Sequence, residues 1–299
     1  MELIFDKEWV AHSAPIYALT QKNEADFFTA GADKIAALWN VDQANNLPFH
    51  VKIDFGIYHV HFESSNNCLY ISQSKGGVHV IDINLKKETA YLLGHKKGVY
   101  KTLVIPQEQT IITLGGDGVC SFWDINTHKH ITALQLSSGK LRDAFFDSDQ
   151  GIVWIAGAFG VLTAIDMTNL KIKNTYELGD DALYTVCQHP TNKNMLLIAG
   201  KDALIYVIHT TTGKIISFPA HNFGIYTITP LTGTPFFASC SRDKSIKIWN
   251  STDFSFVQKL ERTHQKGHTA SVNNIIWLPS HKQLISVGDD KRIIAWKAT

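Results

Sequence analysis

The chain has 299 residues, and its 28 lysines and arginines nearly balance its 27 aspartates and glutamates. A net charge of +1 provides no extended positive field, so we expect no nucleic-acid partner. No apolar run approaches the roughly 18 residues of a membrane-spanning helix, and the start MELIFDKEWV lacks the pattern of an export signal. Because the four cysteines are also scattered, with no C-x-x-C pair, the sequence predicts a cytoplasmic protein without a membrane partner.

Short apolar runs separated by turn residues follow one another along the chain, which is typical of an all-β protein. The first run is ELIFDKEW (2–9). The chain divides into seven repeats, as the motifs below show. In the sixth, GIYTITPL (224–231) is followed by PFFASCS (235–241), SIKIWN (245–250) and FVQKLE (256–261). The last repeat, 268–298, has no residues left for a fourth strand, so we predict that 2–9 completes it. The whole chain, 1–299, is expected to form one domain.

A histidine, an aspartate and a tryptophan recur at fixed spacing, with a serine or threonine four residues before each aspartate. The aspartate follows the histidine by 21 or 22 residues and precedes the tryptophan by six. The four sets are His12, Thr29, Asp33 and Trp39; His95, Thr113, Asp117 and Trp123; His221, Ser239, Asp243 and Trp249; and His268, Ser286, Asp290 and Trp296. Residues at the tryptophan position recur every 41 to 47 residues, so seven repeats fill the chain.

Two of these stretches, SCSRDKSIKIWN (239–250) and TLGGDGVCSFWDI (113–125), resemble the WD40 repeat family. The Gly-His pairs in LLGH (92–95) and QKGH (265–268) add to the resemblance. A repeat of roughly 40–45 residues with this pattern implies one four-stranded propeller blade. The resemblance therefore implies an all-β fold, a seven-bladed β-propeller of four-stranded antiparallel blades, closed by the N-terminal strand in the last blade.

The resemblance also implies a structural role for the four sets. In the family the indole donates to the hydroxyl, the hydroxyl contacts the imidazole, and the carboxylate holds the imidazole. A hydrolytic triad is the competing interpretation, but it needs one exposed nucleophile beside an oxyanion hole rather than the same set four times. Repeats two, four and five carry Lys75, Phe159 and Asp202 at the aspartate position without a full set. We expect those blades to rely more on apolar packing, and Phe159 to stand exposed on the upper face as a candidate partner contact.

One position early in each predicted inner strand carries tyrosine in five of the seven repeats. The residue before it is apolar, so strand alternation turns this position toward the upper mouth of the central channel. The strands are PIYAL (15–19), GIYHV (56–60), GVYKT (98–102), KLRDA (140–144), ALYTV (182–186), GIYTI (224–228) and SVNNI (271–275). The residues at this position are Tyr17, Tyr58, Tyr100, Arg142, Tyr184, Tyr226 and Asn273.

Tyrosine is enriched at binding hot spots, so we predict that these seven residues bind a protein or peptide. Their ring faces could attract a cation, or Arg142 could clamp a carboxylate or phosphate. A second interpretation is that the tyrosines pack on one another and plug the channel. Lys201, Arg242 and Asp289 are also expected on the upper face, either as binding residues or as a solvated rim.

The sequence favours a non-enzymatic scaffold that binds a peptide or protein segment on its upper face. One alternative is a constitutive subunit of a larger assembly that uses its side or lower face. Another is a hydrolase acting in the channel, which needs inward carboxylates or histidines around a metal or nucleophile. The predicted mouth offers phenols, one guanidinium and one amide instead. We therefore expect no catalytic residue, no metal and no cofactor.

Overall fold

Seven sheets follow one another along the chain, each with four antiparallel strands. They are seen in a computed structural model that describes residues 1–10, 12–45 and 48–299, with Gln265 described by its backbone alone. Each inner strand contacts the inner strands of the sheets before and after it, and the last contacts the first, so the sheets form a ring. The all-β, seven-bladed propeller predicted from the repeats is confirmed.

The blades are numbered in chain order, and each runs from an inner strand at the channel to an outer strand at the perimeter. Blade 1 comprises β2 (Ile16–Gln21), β3 (Asp26–Gly31), β4 (Ile35–Asn40) and β5 (His50–Lys52). Blade 2 comprises β6 (Ile57–Glu63), β7 (Cys68–Gln73), β8 (Val78–Asp82) and β9 (Lys87–Leu92). Blade 3 comprises β10 (Val99–Ile105), β11 (Thr110–Gly115), β12 (Val119–Asp124) and β13 (His130–Gln135).

Blade 4 comprises β14 (Leu141–Asp147), β15 (Ile152–Gly157), β16 (Val161–Asp166) and β17 (Lys171–Glu177). Blade 5 comprises β18 (Leu183–Gln188), β19 (Met195–Gly200), β20 (Leu204–His209) and β21 (Ile215–Pro219). Blade 6 comprises β22 (Ile225–Leu231), β23 (Phe236–Ser241), β24 (Ile246–Asn250) and β25 (Phe256–Leu260). Blade 7 comprises β26 (Val272–Leu278), β27 (Gln283–Gly288), β28 (Arg292–Ala298) and β1 (Leu3–Val10).

In the described parts of the chain, three short helical turns lie between strands: α1 (Arg262–Gln265) and two 3-10 turns, Pro106–Glu108 and Pro279–His281. The core consists of apolar clusters between neighbouring blades, so the middle strands are covered on both faces. This is why β11 (TIITLG) and β15 (IVWIAG) are buried along their whole length, whereas outer β17 (KIKNTYE) is almost wholly exposed. Among the described helices, none is long and apolar enough to span a bilayer.

The N-terminal strand completes blade 7, as the sequence predicted. β1 pairs antiparallel with β28, and Phe5 lies opposite Trp296. Gln258 of blade 6 clamps the fully buried Leu3, since its amide accepts the N–H and donates to the carbonyl of Leu3, both at 2.8 Å. On the other side, Trp9 Nε1 donates to the carbonyl oxygen of Gln43, between β4 and β5 of blade 1, at 3.0 Å. One strand therefore joins the first, sixth and seventh blades.

Every inner strand contains a β-bulge at the same place. The pairing register shifts between its first and third residues in all seven blades. In β2 the shift lies between Ile16 and Ala18, so Tyr17 is left out of the ladder. The equivalent residues are Tyr58, Tyr100, Arg142, Tyr184, Tyr226 and Asn273. A bulge bends the strand and redirects a side chain, so the bulge sets the direction of the side chain at this position. Strand alternation alone did not predict the bulge.

Removing residues 1–10 should open the ring, because it uncovers the hydrogen-bonding edge of β28 and the buried indole of Trp296. We expect a lower thermal unfolding midpoint and concentration-dependent association, measured by calorimetry and light scattering. A synthetic peptide of residues 2–10 should restore the midpoint, whereas a scrambled peptide should not. A truncated chain that stays monomeric with an unchanged midpoint would contradict this role for β1.

Candidate functional site

The four repeated sets form hydrogen-bonded networks within blades 1, 3, 6 and 7. In blade 6, Trp249 Nε1 donates to Ser239 Oγ at 2.9 Å, and His221 Nε2 lies 2.8 Å from the same oxygen. His221 Nδ1 lies 2.8 Å from Asp243 Oδ2. The same contacts, at 2.7 to 3.1 Å, join His12 with Thr29, Asp33 and Trp39; His95 with Thr113, Asp117 and Trp123; and His268 with Ser286, Asp290 and Trp296.

The donors and acceptors determine where the protons lie in these networks. A carboxylate only accepts, so Nδ1 of the neutral histidine carries the proton and Nε2 accepts from the hydroxyl. Burial lowers the pKa of His95 and His221, which favours this neutral form. The four hydroxyl-bearing residues have no exposed surface. They are therefore out of reach of a substrate, which argues against hydrolytic triads.

Ser239→Ala should destabilise the protein strongly, because it leaves the Trp249 indole N–H and the His221 Nε2 buried without partners. Each unsatisfied group costs roughly 1–3 kcal/mol in the free energy of unfolding, measurable by urea denaturation. Ser239→Thr is the matched control, since Thr29 and Thr113 occupy this position in blades 1 and 3. An alanine variant as stable as the threonine variant would contradict this account.

The free energy of unfolding should also fall as the pH drops below about 6.5, the usual pKa of an unfolded histidine. Burial places the folded-state pKa of His95 and His221 below that value. The unfolded chain therefore binds more protons in this range, and stability is lost as the pH falls toward the folded pKa. Urea denaturation at pH 7.5, 6 and 5 measures the effect. Equal stability at all three pH values would show that these imidazoles are not held neutral by the fold.

Blades 2 and 5 contain polar networks that the repeat pattern did not predict. In blade 5, Tyr206 Oη donates to Asp202 Oδ2 at 2.6 Å. In blade 2, Gln73 Nε2 donates to Tyr91 Oη at 2.7 Å, and His79 Nε2 lies 3.3 Å from Gln73 Oε1. These two blades therefore hold polar contacts in addition to the apolar packing expected of them. The only sequence signal was a tyrosine four residues after Asp202.

The seven bulged residues line a channel cavity of about 670 Å³. All of them are half-buried, so they contact neighbouring blades and also face the open space. Each follows a loop of the upper face, and in blades 1, 3, 6 and 7 that loop contains the histidine of a network. The networks thus hold the loops from which the bulged residues emerge. We call the seven residues together the mouth ring.

Five consecutive members of the mouth ring form one stack of planar groups. Tyr58 and Tyr100 stack at 4.9 Å between centroids, with 20° between their planes. The guanidinium carbon of Arg142 lies 4.5 Å from the Tyr100 centroid and 5.0 Å from that of Tyr184. Tyr184 stacks on Tyr226 at 5.8 Å and 23°. The tyrosines therefore pack on one another around the channel and still leave it open.

Small residues in the upper loops make this packing possible. A Cβ atom on Gly98 would lie 2.7 Å from Tyr58 Cε2 and 2.7 Å from the carbonyl oxygen of Ser74. A Cβ atom on Gly224 would lie 3.4 Å from Tyr184 Cε2. Gly98 thus gives room to the ring of the preceding blade, whereas a Cβ atom at Gly224 would make an ordinary contact with Tyr184.

The stack does not continue through blades 7 and 1. Tyr17 meets Tyr58 edge to face, at 6.1 Å and 66°. Asn273 Nδ2 donates to Asp289 Oδ1 and to the carbonyl oxygen of Ile16, both at 2.8 Å. Asp289 also lines the cavity. The mouth ring is therefore aromatic and cationic on one side, and carries an amide and a carboxylate on the other.

The remaining residues expected on the upper face are not equivalent. Lys201 Nζ pairs with Asp181 Oδ1 at 2.7 Å, and the Arg242 guanidinium lies 5.9 Å from the Phe223 ring centroid. Both cations thus have partners within their own blades. Phe159 lies in the turn between β15 and β16 and is 58% exposed.

Below the mouth ring, polar contacts link each inner strand to the next, which the sequence did not reveal. Lys101 Nζ lies 2.7 Å from Asp143 Oδ1, and Asp143 Oδ2 accepts the backbone N–H of Val186 at 3.0 Å. Burial and the charge of Lys101 lower the pKa of His59 well below its ordinary value. Other boundaries are bridged by Thr20 and Phe62, His59 and Thr102, Thr185 and Ile228, Thr227 and Asn273, and Asn273 and Ile16.

A model of the WD domain, G-beta repeat family, matches residues 213–250 and 258–297, which cover most of the sixth and seventh repeats. These two matches agree with the seven-bladed ring and the four histidine networks. The chain contains WD40 repeats within a seven-bladed β-propeller. The resemblance to the WD40 repeat predicted from the motifs is confirmed.

Curated relatives match this propeller at low identity. It is 23% identical to Protein tipD of Dictyostelium discoideum over 97% of this chain and 48% of the relative. It is 23% identical to a Striatin homolog of the same organism, over 91% of this chain and 31% of the relative. A shorter stretch matches DDB1- and CUL4-associated factor 13 of the same organism. It is 37% identical over 27% of this chain and 17% of the relative. The chain thus spans less than half of each of these relatives.

Proposed function

We propose that this WD40 propeller is a non-enzymatic scaffold that binds a peptide or protein segment of a partner at the mouth ring. The observation that carries the proposal is the repeated bulge, which directs one residue of every blade into the same open channel. A cavity of about 670 Å³ lies within the range of pockets that hold compact ligands. Five of the seven side chains are tyrosines, which bind partners with little loss of side-chain entropy.

The chemistry of the channel supports binding rather than catalysis. Lys101 pairs with Asp143, and Asn273 holds Asp289, so both carboxylates facing the cavity already have partners. In the described part of the chain, no three histidine, cysteine, aspartate or glutamate side chains are grouped to bind a metal ion. A metal-assisted hydrolase would need such a group.

The relatives support a protein partner. The name of one, DDB1- and CUL4-associated factor 13, describes association with other proteins. Identity is low and each relative is much longer than this chain, so the partner is proposed only as a class: a protein or peptide, not nucleic acid or a membrane.

The perimeter offers a second candidate surface. Outer strands of neighbouring blades expose apolar side chains, including Ile131 at 51%, Ile172 at 50% and Ile216 at 43%. Exposed apolar patches mark protein interfaces when they are contiguous. A constitutive assembly would bury this perimeter and leave the mouth ring free.

The two surfaces can be separated by affinity capture with paired variants. Tyr100→Ala with Tyr184→Ala should reduce partner recovery by at least about tenfold, as expected for central hot-spot aromatics. Ile131→Ala with Ile172→Ala should leave recovery unchanged. Circular dichroism and thermal melting check the fold of both, which should persist because Tyr100 and Tyr184 are half-buried at the channel. The reverse pattern would reject the mouth ring and favour the perimeter.

A further inference from the structure

Arg142 has unused hydrogen-bonding capacity at the centre of the mouth ring. Its guanidinium lies between the rings of Tyr100 and Tyr184. Its Nε atom is buried and has no hydrogen-bond partner among the described residues. The ion pairs of residues 1–10, 12–45 and 48–299 include none to Arg142. A guanidinium carries five donors and binds anions best through two parallel N–H bonds, so an acceptor is missing here.

The upper loops around Arg142 are basic. Lys75, Lys96, Lys97 and Lys140 are all exposed there. Lys140 Nζ lies 5.3 Å from the Tyr100 ring centroid, next to Arg142. The acidic residue in the same loops of blade 3, Asp117, is already bound by His95 and by the backbone N–H of Lys96. On the other half of the face, by contrast, Lys201 is neutralised by Asp181.

We propose that Arg142 anchors a carboxylate of an acidic segment in the partner protein, with the side chain of an aspartate or glutamate entering the channel mouth from the side of blades 2 to 4. This inference rests on the proposed function and specifies the chemistry of the segment that the mouth ring binds. Lys140 and the neighbouring lysines attract the segment through its net negative charge, and the Arg142 fork fixes its position.

The stacking favours a carboxylate over a phosphate. The ring centroids of Tyr100 and Tyr184 lie 4.5 and 5.0 Å from the guanidinium carbon, which leaves little room for a bulky ligand between the rings. A carboxylate is planar and can accept two parallel N–H bonds with both oxygens in the guanidinium plane. A phosphate is tetrahedral, and its remaining oxygens would point out of that plane and need more room. The same stack already occupies the ring faces that a cationic ligand would need.

The acidic segment should lie across the channel in one orientation. Asp289 lines the opposite side, where it accepts from Asn273. A second acidic group placed there would be repelled, whereas a backbone N–H or a basic group would be accepted. The segment is therefore expected to carry its acid toward Arg142 and a donor toward Asp289.

A random dodecapeptide phage library, selected on the immobilised full-length chain, tests this without a known partner. The enriched peptides should share an aspartate or glutamate. A synthetic peptide of the enriched sequence should lose at least about tenfold in affinity with Arg142→Gln, as for a charge-assisted hydrogen bond. Changing the peptide acid to its amide should cause a similar loss, and the two changes together should cost little more than either alone.

The controls separate this inference from the proposed function. Lys173→Gln makes the same charge change on the exposed outer strand of blade 4 and should leave binding unchanged. Arg142→Lys keeps the positive charge at this position. Circular dichroism checks that both Arg142 variants remain folded. Peptides whose binding needs Tyr100 and Tyr184 but tolerates Arg142→Gln would overturn the inference alone. Tighter binding of a phosphoserine peptide would also overturn it. No enriched peptide, or binding insensitive to Tyr100→Ala with Tyr184→Ala, would count against both proposals.

Discussion

The pairing of β1 with β28 is the contact on which the rest of the structure depends. A blade buries both faces only when it has a neighbour on each side, so an open ring would expose one face at each end. Leu3 belongs to the apolar cluster between blades 6 and 7, and Trp9 to the cluster between blades 7 and 1. Joining the two chain ends costs entropy that grows only slowly with loop length, and one strand with two buried anchors can offset it.

Closure brings seven equivalent inner strands around one channel, and the bulges determine what they present there. A regular strand would place every residue opposite a partner in the neighbouring strand. The bulge leaves one residue out, bends the strand, and turns that side chain to the channel. Because the bulge recurs in every blade, seven side chains meet in one ring, and contacts such as Lys101 with Asp143 tie adjacent inner strands below it.

The mouth ring is both packed and open, so the sequence interpretations of a plug and of an accessible ring each describe part of it. Stacking between neighbours orders the tyrosines before any ligand arrives, which lowers the entropy cost of binding. The tyrosine hydroxyls are protonated donors at neutral pH, since their ordinary pKa is about 10, and burial raises the pKa of Tyr58 and Tyr226 further. The stack also encloses Arg142, which leaves the ring with the protein's own cation at its centre.

The sequence by itself determined the number of blades, the strand order, the closing strand and the four networks, because each depends on residues at fixed spacing within a repeat. It also located Tyr100 and Arg142 at equivalent positions of successive blades. Only the tertiary structure decided that Arg142 lies between Tyr100 and Tyr184, that Tyr206 bonds Asp202, and that Lys101 pairs with Asp143. These contacts depend on side-chain torsions and on the distance between packed blades, and the alternation within one strand carries no information about either.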